Sequence, residues 1–382
     1  MMGKRHFVMA AGGTGGHMVP AHALAEELMK RGHKVSLITD DRGARIPGLF
    51  KNVEVNILPA GRLTGGVLGW LKAGRNILAG RRQARLFYRR TSPAAVIGFG
   101  GYPALPALLA ARNAGIATVI HEQNAVLGRV NRLLAPRVDA IATAYPEVDR
   151  LPPKCAGKVE LVGNPVRDEV LALRDRPFPP VSDFHVLVTG GSQGATVLST
   201  VVPDGLALLP EPWRSRLRIV QQCRAEDLDR VRARYAELGL EAELATYLAD
   251  MPERLARAHL VIARAGASTI AELTAAGRPA ILIPLPSATD DHQTANAREM
   301  AKEGGARSIA QGEFTPERLA REIEALGLDT LAEAAAHARA CGRPDATRAL
   351  ADLVERIART PGVDPLPVTV KDAQPVMNGA LA

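Results

Sequence analysis

The sequence predicts an α/β protein with two Rossmann-like domains, and three observations support this prediction. The chain has 382 residues, which is more than one hydrophobic core usually supports. Apolar segments of strand length alternate with helical patterns in both halves, as expected of βαβ units around parallel sheets. Each half also begins with an apolar strand and a glycine-rich loop, at 12–16 and at 190–194. This weak internal repeat favours two similar domains.

The strands of the first half are predicted from short apolar runs bounded by turn residues. They cover residues 6–10, 34–39, 53–58, 94–98, 117–121, 138–142 and 159–162. An amphipathic helix carrying Leu24 and Leu28 lies between the first two strands. Prolines and glycines then predict a linker between Gly163 and Val181.

The second half repeats the pattern, with strands predicted at 184–189, 217–221, 260–263 and 280–284. The predicted division is therefore a first Rossmann-like domain at 1–163 and a second at 164–345. A C-terminal helix at 346–360 could pack back on the first domain. The proline-rich tail at 361–382 is predicted to be disordered.

Charge is unevenly distributed along the chain. The formal net charge of +8 suggests an anionic partner. No Asp or Glu occurs from Val55 to His121, whereas the same stretch contains Arg62, Lys72, Arg75, Arg81, Arg82, Arg85, Arg89, Arg90 and Arg112. This asymmetry favours an anionic membrane surface over an ordinary solvated helix face. Aromatic residues are only 4% of the chain, so a nucleic-acid partner bound by base stacking is not expected.

Other classes of protein are disfavoured by composition. Cys155, Cys223 and Cys341 are far apart, so neither a zinc site nor a disulfide framework is predicted. The longest uncharged run, 91–111, is interrupted by prolines and glycines, unlike a transmembrane helix. The N-terminus lacks the apolar region of a signal peptide. We therefore expect a protein that lies on a membrane without spanning it.

The glycine-rich loop at 12–17 leads from the first strand into a helix, where backbone N–H groups could face a ligand. It fails as a dinucleotide fingerprint because Met18 stands where the third glycine of GxGxxG is needed. A tight packing turn is the alternative. His17 is harder to explain by packing, and at a helix start it could act as a neutral general base.

Two loops of the second half suit phosphate and sugar groups. The loop at 190–195 carries Ser192 and Gln193 at a helix start, which suits an anion such as a diphosphate. The segment 264–272 places Glu272 about one turn into another helix. Because a buried carboxylate needs hydrogen-bond donors, two vicinal ribose hydroxyls would suit it. An interaction with the helix dipole is the alternative.

Three more polar segments follow predicted strands, at 98–102, 121–124 and 290–296. Since open α/β sheets bind ligands at the carboxyl ends of their strands, we expect these segments to face a cleft. Asp290, Asp291 and His292 less strongly suggest a metal site. Asp227 and Asp229 resemble a DxD motif but lie in the charged helix predicted at 225–238, where a solvated face is expected.

Together, these loops resemble one family, the bacterial UDP-N-acetylglucosamine:N-acetylmuramyl-(pentapeptide) pyrophosphoryl-undecaprenol N-acetylglucosamine transferases of the MurG type. The matching segments occur in family order: 12–17, 98–102, 121–124, 163–167, 190–195, 266–272 and 291–293. The resemblance implies a GT-B fold, in which two Rossmann-like domains with parallel sheets face a deep interdomain cleft. It implies neither a metal nor a cofactor.

By matching positions, the resemblance also implies site residues. Ser192 would contact the diphosphate of the donor, and Glu272 its ribose hydroxyls. The other donor-site positions are Arg167, Leu248, Ala267, Ser268, Thr269, Ile270, Ala271 and Gln293. From the first domain, the contacts with donor or acceptor would come from Thr14, Gly15, Gly16 and Asn124. His17 is the candidate catalytic base. Ser268 and His292 stand where some members have leucine and glutamine, which could alter donor contacts without changing the reaction class.

The reaction that the resemblance implies is an inverting transfer of N-acetylglucosamine from UDP-N-acetylglucosamine. The acceptor would be undecaprenyl-pyrophosphoryl-MurNAc-pentapeptide (lipid I), and the product lipid II would complete the last cytoplasmic step of peptidoglycan precursor synthesis. The expected location is the cytoplasmic face of the bacterial inner membrane, with cell-wall synthesis and division proteins as partners.

A peripheral membrane contact is suggested by apolar residues that lie among the basic ones, although packing into the first domain is the alternative. These residues are Leu63, Val67, Leu68, Trp70, Leu71, Ile77 and Leu78.

Three other functions fit the sequence less well. Another GT-B enzyme, such as a sugar-nucleotide epimerase or a glycolipid transferase, is disfavoured by the segments 98–102 and 121–124. An NAD-dependent oxidoreductase is disfavoured by the missing fingerprint. A non-catalytic scaffold is disfavoured by the intact donor motifs.

Overall fold

The computed structural model describes residues 3–13, 15–46, 48–59, 67–191 and 194–359, with the backbone alone at 67–72. The chain forms two parallel sheets, one from each half, with helices between successive strands. The predicted α/β fold with two Rossmann-like domains is therefore confirmed. The predicted site residues Thr14 and Ser192 lie outside the described residues, as do Gln193 and Leu63.

Seven parallel strands form the first sheet: β1 (His6–Ala11), β2 (Lys34–Thr39), β3 (Glu54–Ile57), β4 (Ala95–Gly100), β5 (Ala117–Glu122), β6 (Ala140–Thr143) and β7 (Val159–Leu161). In space they run β3-β2-β1-β4-β5-β6-β7. The helices that connect or follow them are α1 (Gly15–Lys30), α2 (Val67–Thr91), α3 (Ala104–Asn113), α4 (Arg129–Leu134) and α5 (Asp168–Leu171).

Helices cover both faces of this sheet, which explains why β1, an interior strand, is apolar after its first residue. All six residues of β1 are buried. Phe7 and Met9 pack into a core on one face, and Val8 and Ala10 into a second core on the other. A parallel strand that is buried on both faces has a continuous run of apolar residues, so its position can be predicted well from the sequence.

Six parallel strands form the second sheet: β8 (Phe184–Thr189), β9 (Leu217–Gln222), β10 (Ala242–Ala245), β11 (Leu260–Ala263), β12 (Ala280–Leu282) and β13 (Ala306–Ser308). In space they run β10-β9-β8-β11-β12-β13. The helices of this half are α6 (Thr196–Ala207), α7 (Glu211–Arg214), α8 (Leu228–Glu237), α9 (Met251–Arg257), α10 (Ala267–Ala276), α11 (His292–Lys302), α12 (Pro316–Leu326) and α13 (Leu331–Cys341).

A last helix, α14 (Ala346–Ile357), leaves the second sheet and packs on the first. Its Leu350, Val354 and Ile357 join the core that contains Phe7. Glu355 accepts hydrogen bonds from His33 Nε2 and Arg31 Nη1, each at 2.6 Å, and so fixes the helix against α1 and β2. The chain therefore crosses between the two halves twice. The domain boundaries proposed from the sequence stay a prediction.

Helix α2 is 25 residues long and begins beyond the undescribed segment 60–66. Ile77, which the sequence suggested as a membrane contact, instead packs against the core of the first domain, whereas Leu78 is exposed. No helix among the described residues is both long and apolar enough to cross a membrane.

Candidate active site

One buried side chain links the strand ends of the two sheets. Asn296 of α11 is fully buried, and its amide nitrogen donates to Asn124 Oδ1 at 3.1 Å and to Ala265 O at 3.2 Å. Its amide oxygen accepts from Ala125 N at 2.8 Å. Asn124 follows β5 and Ala265 follows β11, so the carboxyl ends of both sheets meet here. Sequence reasoning gave Asn296 no role of its own, because its partners are far away in the chain.

His17, the candidate base, lies in the first turn of α1 with its ring held in place. Its Nδ1 lies 3.0 Å from Gly12 O. Because a carbonyl oxygen can only accept, Nδ1 carries the proton of the neutral ring and Nε2 keeps its lone pair. Nε2 faces Gly100, where an added Cβ would lie 3.0 Å away on a backbone with a φ of +98°. The neutral ring therefore has the tautomer that a general base needs.

The segment 98–102 packs closely against the loop at 12–17. A Cβ at Gly101 would lie 2.8 Å from Gly12 O, and the φ of Gly101 is +79°. Gly98, Phe99 and Gly100 are buried strand residues, so the expectation that this whole segment faces a cleft is wrong for them. Their function is close packing, which lets the two loops touch.

The segment 121–124 also differs from its prediction. His121, Glu122 and Gln123 are buried, and only Asn124 is half-buried. The Glu122 carboxylate accepts from Asn124 N at 3.1 Å and from Gly128 N at 2.8 Å, so it shapes the loop after β5. Burial lowers the pKa of His121 to about 4, which leaves the ring neutral. These side chains position Asn124 without facing a cleft themselves.

The structure brings together two predicted donor-site residues, Arg167 and Glu272. Arg167 Nη2 donates to Glu272 Oε1 at 2.8 Å. Burial raises the pKa of Glu272, and the neighbouring guanidinium offsets part of that rise. The carboxylate is half-buried, not buried as the sequence predicted. It has a protein donor, and its oxygens can accept further hydrogen bonds from a ligand hydroxyl.

Other predicted positions surround Glu272 on α10 or near it. Ser268 and Thr269 are half-buried in the first turn, and Ser268 Oγ has no hydrogen-bond partner within the described residues. Leu248 and Ile270 are side chains of the core, so their backbones would make any ligand contact. A cavity of about 70 Å³ lies between the two halves. Its lining includes Asn164, Ala267, Ile270 and Ala271.

The loop after β8 makes a sharp turn into α6. A Cβ at Gly190 would lie 2.4 Å from Ala195 N, so only glycine fits there. Gly191 and Gly194 have positive φ angles of 74° and 65°. In the first domain, Gly15 and Gly16 begin α1 in the same way and are half-buried. Both glycine-rich loops therefore end at a helix N-terminus, where N–H groups can face an anion.

The segment 290–296 is organised by ion pairs and hydrogen bonds. Asp290 accepts from Arg132 at 2.5 Å and from Arg150 at 2.6 Å. Burial would raise the pKa of Asp290, but the two guanidinium groups outweigh it and lower the pKa. Gln293 Oε1 accepts from Leu285 N at 3.0 Å, which closes the loop before α11. Within the described residues, no group of three or more His, Cys, Asp or Glu side chains is arranged to hold a metal ion.

The DxD-like pair is partly buried, contrary to the expected solvated face. Asp229 is 96% exposed, as expected. Asp227 is buried at the start of α8 and accepts from Arg230 at 2.8 Å. The Asp227 carboxylate therefore contributes to the packing of this helix, so the prediction is wrong for Asp227.

Comparison with known proteins gives matches along nearly the whole chain. Residues 7–143 match the glycosyltransferase family 28 N-terminal domain, and residues 185–357 match its C-terminal domain. A UDP-N-acetylglucosamine–N-acetylmuramyl-(pentapeptide) pyrophosphoryl-undecaprenol N-acetylglucosamine transferase from Zymomonas mobilis is 63% identical and covers 94% of each chain. The enzyme of the same name from Novosphingobium aromaticivorans is 62% identical, again over 94% of each chain.

The fold is likewise similar to that of a solved relative. The crystal structure of MurG from Acinetobacter baumannii matches with a TM-score of 0.75 and 32% identity, and the match covers 93% of this chain and 100% of that one. The GT-B fold expected from the sequence is thereby confirmed. The chain belongs to glycosyltransferase family 28 and, within it, to the UDP-N-acetylglucosamine–N-acetylmuramyl-(pentapeptide) pyrophosphoryl-undecaprenol N-acetylglucosamine transferases.

Proposed function

We propose that this protein transfers N-acetylglucosamine from UDP-N-acetylglucosamine to the 4-hydroxyl of the muramyl residue of undecaprenyl-pyrophosphoryl-MurNAc-pentapeptide, with inversion at C1. One observation carries the proposal beyond the family match. The Asn124–Asn296–Ala265 hydrogen bonds join the strand ends of the two sheets. His17 follows a strand end of the first sheet, and Glu272, paired with Arg167, lies on the helix that follows Ala265 in the second. A donor site and an acceptor site would therefore share one cleft.

The donor is bound by the second domain. Glu272, already held by Arg167, accepts hydrogen bonds from the ribose hydroxyls, and Ser268 Oγ is free among the described residues to bond the ligand. The loop 190–195, with Ser192, binds the diphosphate at the start of α6. Gln293, Leu248, Ala267, Thr269, Ile270 and Ala271 complete the proposed donor site.

The acceptor is bound by the first domain, with Gly15, Gly16, Thr14 and Asn124 near the reacting sugar. His17 Nε2 takes the proton of the 4-hydroxyl as its oxygen attacks C1 of the donor. The bond from C1 to the UDP oxygen breaks through an oxocarbenium-like transition state, and UDP leaves with the electron pair. The N–H groups at the start of α6 stabilise the charge that builds on the diphosphate. The proton on His17 then passes to solvent.

The first domain also contacts the membrane that holds the acceptor. On α2, Arg75, Leu78, Arg82, Leu86 and Arg89 are all exposed and follow one another at spacings of three or four residues. Such residues lie on one face of a helix. A stripe of arginine and leucine suits the interface of an anionic bilayer, so we place the protein peripherally on the cytoplasmic face of the inner membrane.

The test is a transfer assay with radiolabelled UDP-N-acetylglucosamine and a synthetic muramyl-pentapeptide lipid pyrophosphate, with EDTA present. We expect labelled lipid product, because the helix start at α6 would stabilise the departing diphosphate without a metal. Binding of the donor by calorimetry without product would contradict the acceptor assignment. Absence of donor binding would contradict the whole proposal.

A further inference from the structure

Three arginines of the first domain surround a single aspartate of the second. Arg132 and Arg150 hydrogen-bond the Asp290 carboxylate, and Arg129 Nε lies 3.9 Å from it. The Asp290 side chain is only 14% exposed. We call these four residues the Asp290 contact. Asp290 lies just before α11, the helix that carries Asn296. The Asp290 contact therefore belongs to the surface where the two domains touch.

Backbone conformation at this contact is unusual. Five non-glycine residues among those described have a positive φ, and three of them are Arg150, Asp290 and Asp291, at 64°, 58° and 53°. Left-handed backbone is unfavourable for residues with a Cβ and persists only where the surroundings impose it. Strained residues on both sides of one ion-pair cluster indicate that the cluster holds the loop in this shape.

The strained loop carries a predicted donor-site residue. Gln293 lies three residues after Asp290, and its side chain accepts from Leu285 N at 3.0 Å. This bond joins the two ends of the loop 285–293. Displacement of Asp290 would therefore displace Gln293 as well.

We propose that Asp290 is a positioning residue: through Arg132 and Arg150 it holds the two domains, and with them Gln293 and Asn124, in the arrangement required for transfer. This inference rests on the proposed function, because it assigns a role within that reaction. Asp290 itself need not touch the substrate. Without its charge, the second domain would occupy a wider range of orientations, and fewer molecules would present both substrates correctly.

The test compares Asp290→Asn with the control Asp229→Asn. Asparagine keeps the size of the side chain and tolerates the left-handed backbone, so the fold should survive. The control removes an equally charged carboxylate whose partner is the exposed Arg232 on α8. A short-chain, water-soluble acceptor avoids any effect of membrane binding on the rate.

Two kinetic quantities separate positioning from a merely structural role. For Asp290→Asn we expect kcat/KM to fall about tenfold, which is less than the loss for a fully buried ion pair because Arg132 and Arg150 are partly exposed. The Kd of UDP should stay within about twofold, because the groups proposed to bind its ribose and diphosphate, Glu272 and the loop 190–195, lie outside the loop 285–293 and away from Asp290 in the chain. Asp229→Asn should change neither. A parallel loss of UDP binding and turnover, or no loss of turnover, would overturn the proposal.

A distance measurement tests the same inference without catalysis. Spin labels at Leu86→Cys and Leu208→Cys, both exposed and in different domains, report the interdomain distance in a Cys341→Ser background. We expect a broader distance distribution in Asp290→Asn than in the parent, and in the double variant Arg132→Gln, Arg150→Gln as well. Unchanged distributions in both would overturn the proposal. If the parent protein made no product, the proposed function would fail while this measurement still decided the role of Asp290.

Discussion

At the scale of single residues, His17 shows how one hydrogen bond determines which ring nitrogen can accept a proton. The bond from Nδ1 to Gly12 O fixes the tautomer and leaves Nε2 as the acceptor of a proton. A ring without that bond could protonate either nitrogen. The sequence predicted His17 from its place at a helix start, but the tautomer depends on a loop carbonyl five residues earlier, which only the folded backbone reveals.

For His17→Ala we expect kcat to fall about 100- to 10,000-fold, the usual contribution of a general base. His17→Asn is the matched control, because its amide can still donate to Gly12 O but has no basic nitrogen. Steady-state rates with the short-chain acceptor should be equally low for both variants. Recovery of most of the rate in His17→Asn would instead assign the residue to holding the loop.

Glu272 shows a conflict between stability and binding. Burial raises the pKa of its carboxyl in the folded protein. In the pH window between the ordinary pKa and the raised pKa, the folded protein therefore binds more protons than the unfolded chain. Stability contributed by this group therefore falls as pH rises through that window, and the cost is present in full above the raised pKa. The carboxylate is kept despite this cost, as expected of a group that binds a ligand.

Glu272→Gln should accordingly unfold at a higher temperature than the parent at pH 7, and this difference should disappear below about pH 4.3, where both forms are neutral. The donor KM should rise about tenfold, because a neutral amide makes weaker hydrogen bonds to the ribose than a carboxylate. Thermal unfolding at several pH values and donor titrations measure both. Glu241→Gln, at an exposed position, should shift neither; a lower unfolding temperature for Glu272→Gln at pH 7 would contradict this account.

At the scale of elements, α2 combines two properties on one helix. Its inner side packs on the first domain through Ala84, Phe87 and Tyr88. Its outer side carries the stripe of exposed arginines and leucines, and among the described residues no acidic partner pairs with Arg82 or Arg85. Gln83 Nε2 donates to Ile57 O at 3.1 Å, which places the exposed Val55 and Ile57 of β3 beside it.

The double variant Arg82→Glu, Arg89→Glu should bind anionic vesicles at least roughly tenfold more weakly, since each basic residue near such a surface contributes about 1 kcal/mol. Vesicle pelleting at low and high salt measures this. The control Arg214→Glu, Arg232→Glu makes the same change of charge on the second domain and should bind as the parent does. Equal loss in both variants would mean that net charge, and not α2, governs binding.

How well the sequence predicts an element depends on where the element lies in its sheet. β2, β8 and β11 have the bounds that the apolar runs predict, because they are buried on both faces. β10 and β13 were not predicted. Both are edge strands in which every residue except Ala306 is half-buried or exposed, so they carry no continuous apolar signal.

At the scale of the whole molecule, the two domains could be predicted but their relative placement could not. The internal repeat and the alternation of strands and helices depend on neighbours in the chain. The contacts between domains depend on pairs such as Arg132–Asp290 and Ala125–Asn296, whose members lie 158 and 171 residues apart. The burial of His121 and Glu122 could not be predicted for the same reason, because it depends on contacts with distant parts of the chain. Polar residues after a strand suggest a solvent-exposed sheet edge, and here the rest of the fold covers them.

The return of α14 to the first sheet has a consequence for how the protein is made. Five residues of α14 complete a core whose other buried members come from the first half of the chain: Leu350, Ala351, Leu353, Val354 and Ile357. Because domains fold as they emerge from the ribosome, the first half must wait for a helix that is translated only after the entire second sheet. The domain that is translated first is therefore the one that finishes folding last. While a ribosome is stalled within the second half, the nascent first domain would expose an apolar surface until translation resumes.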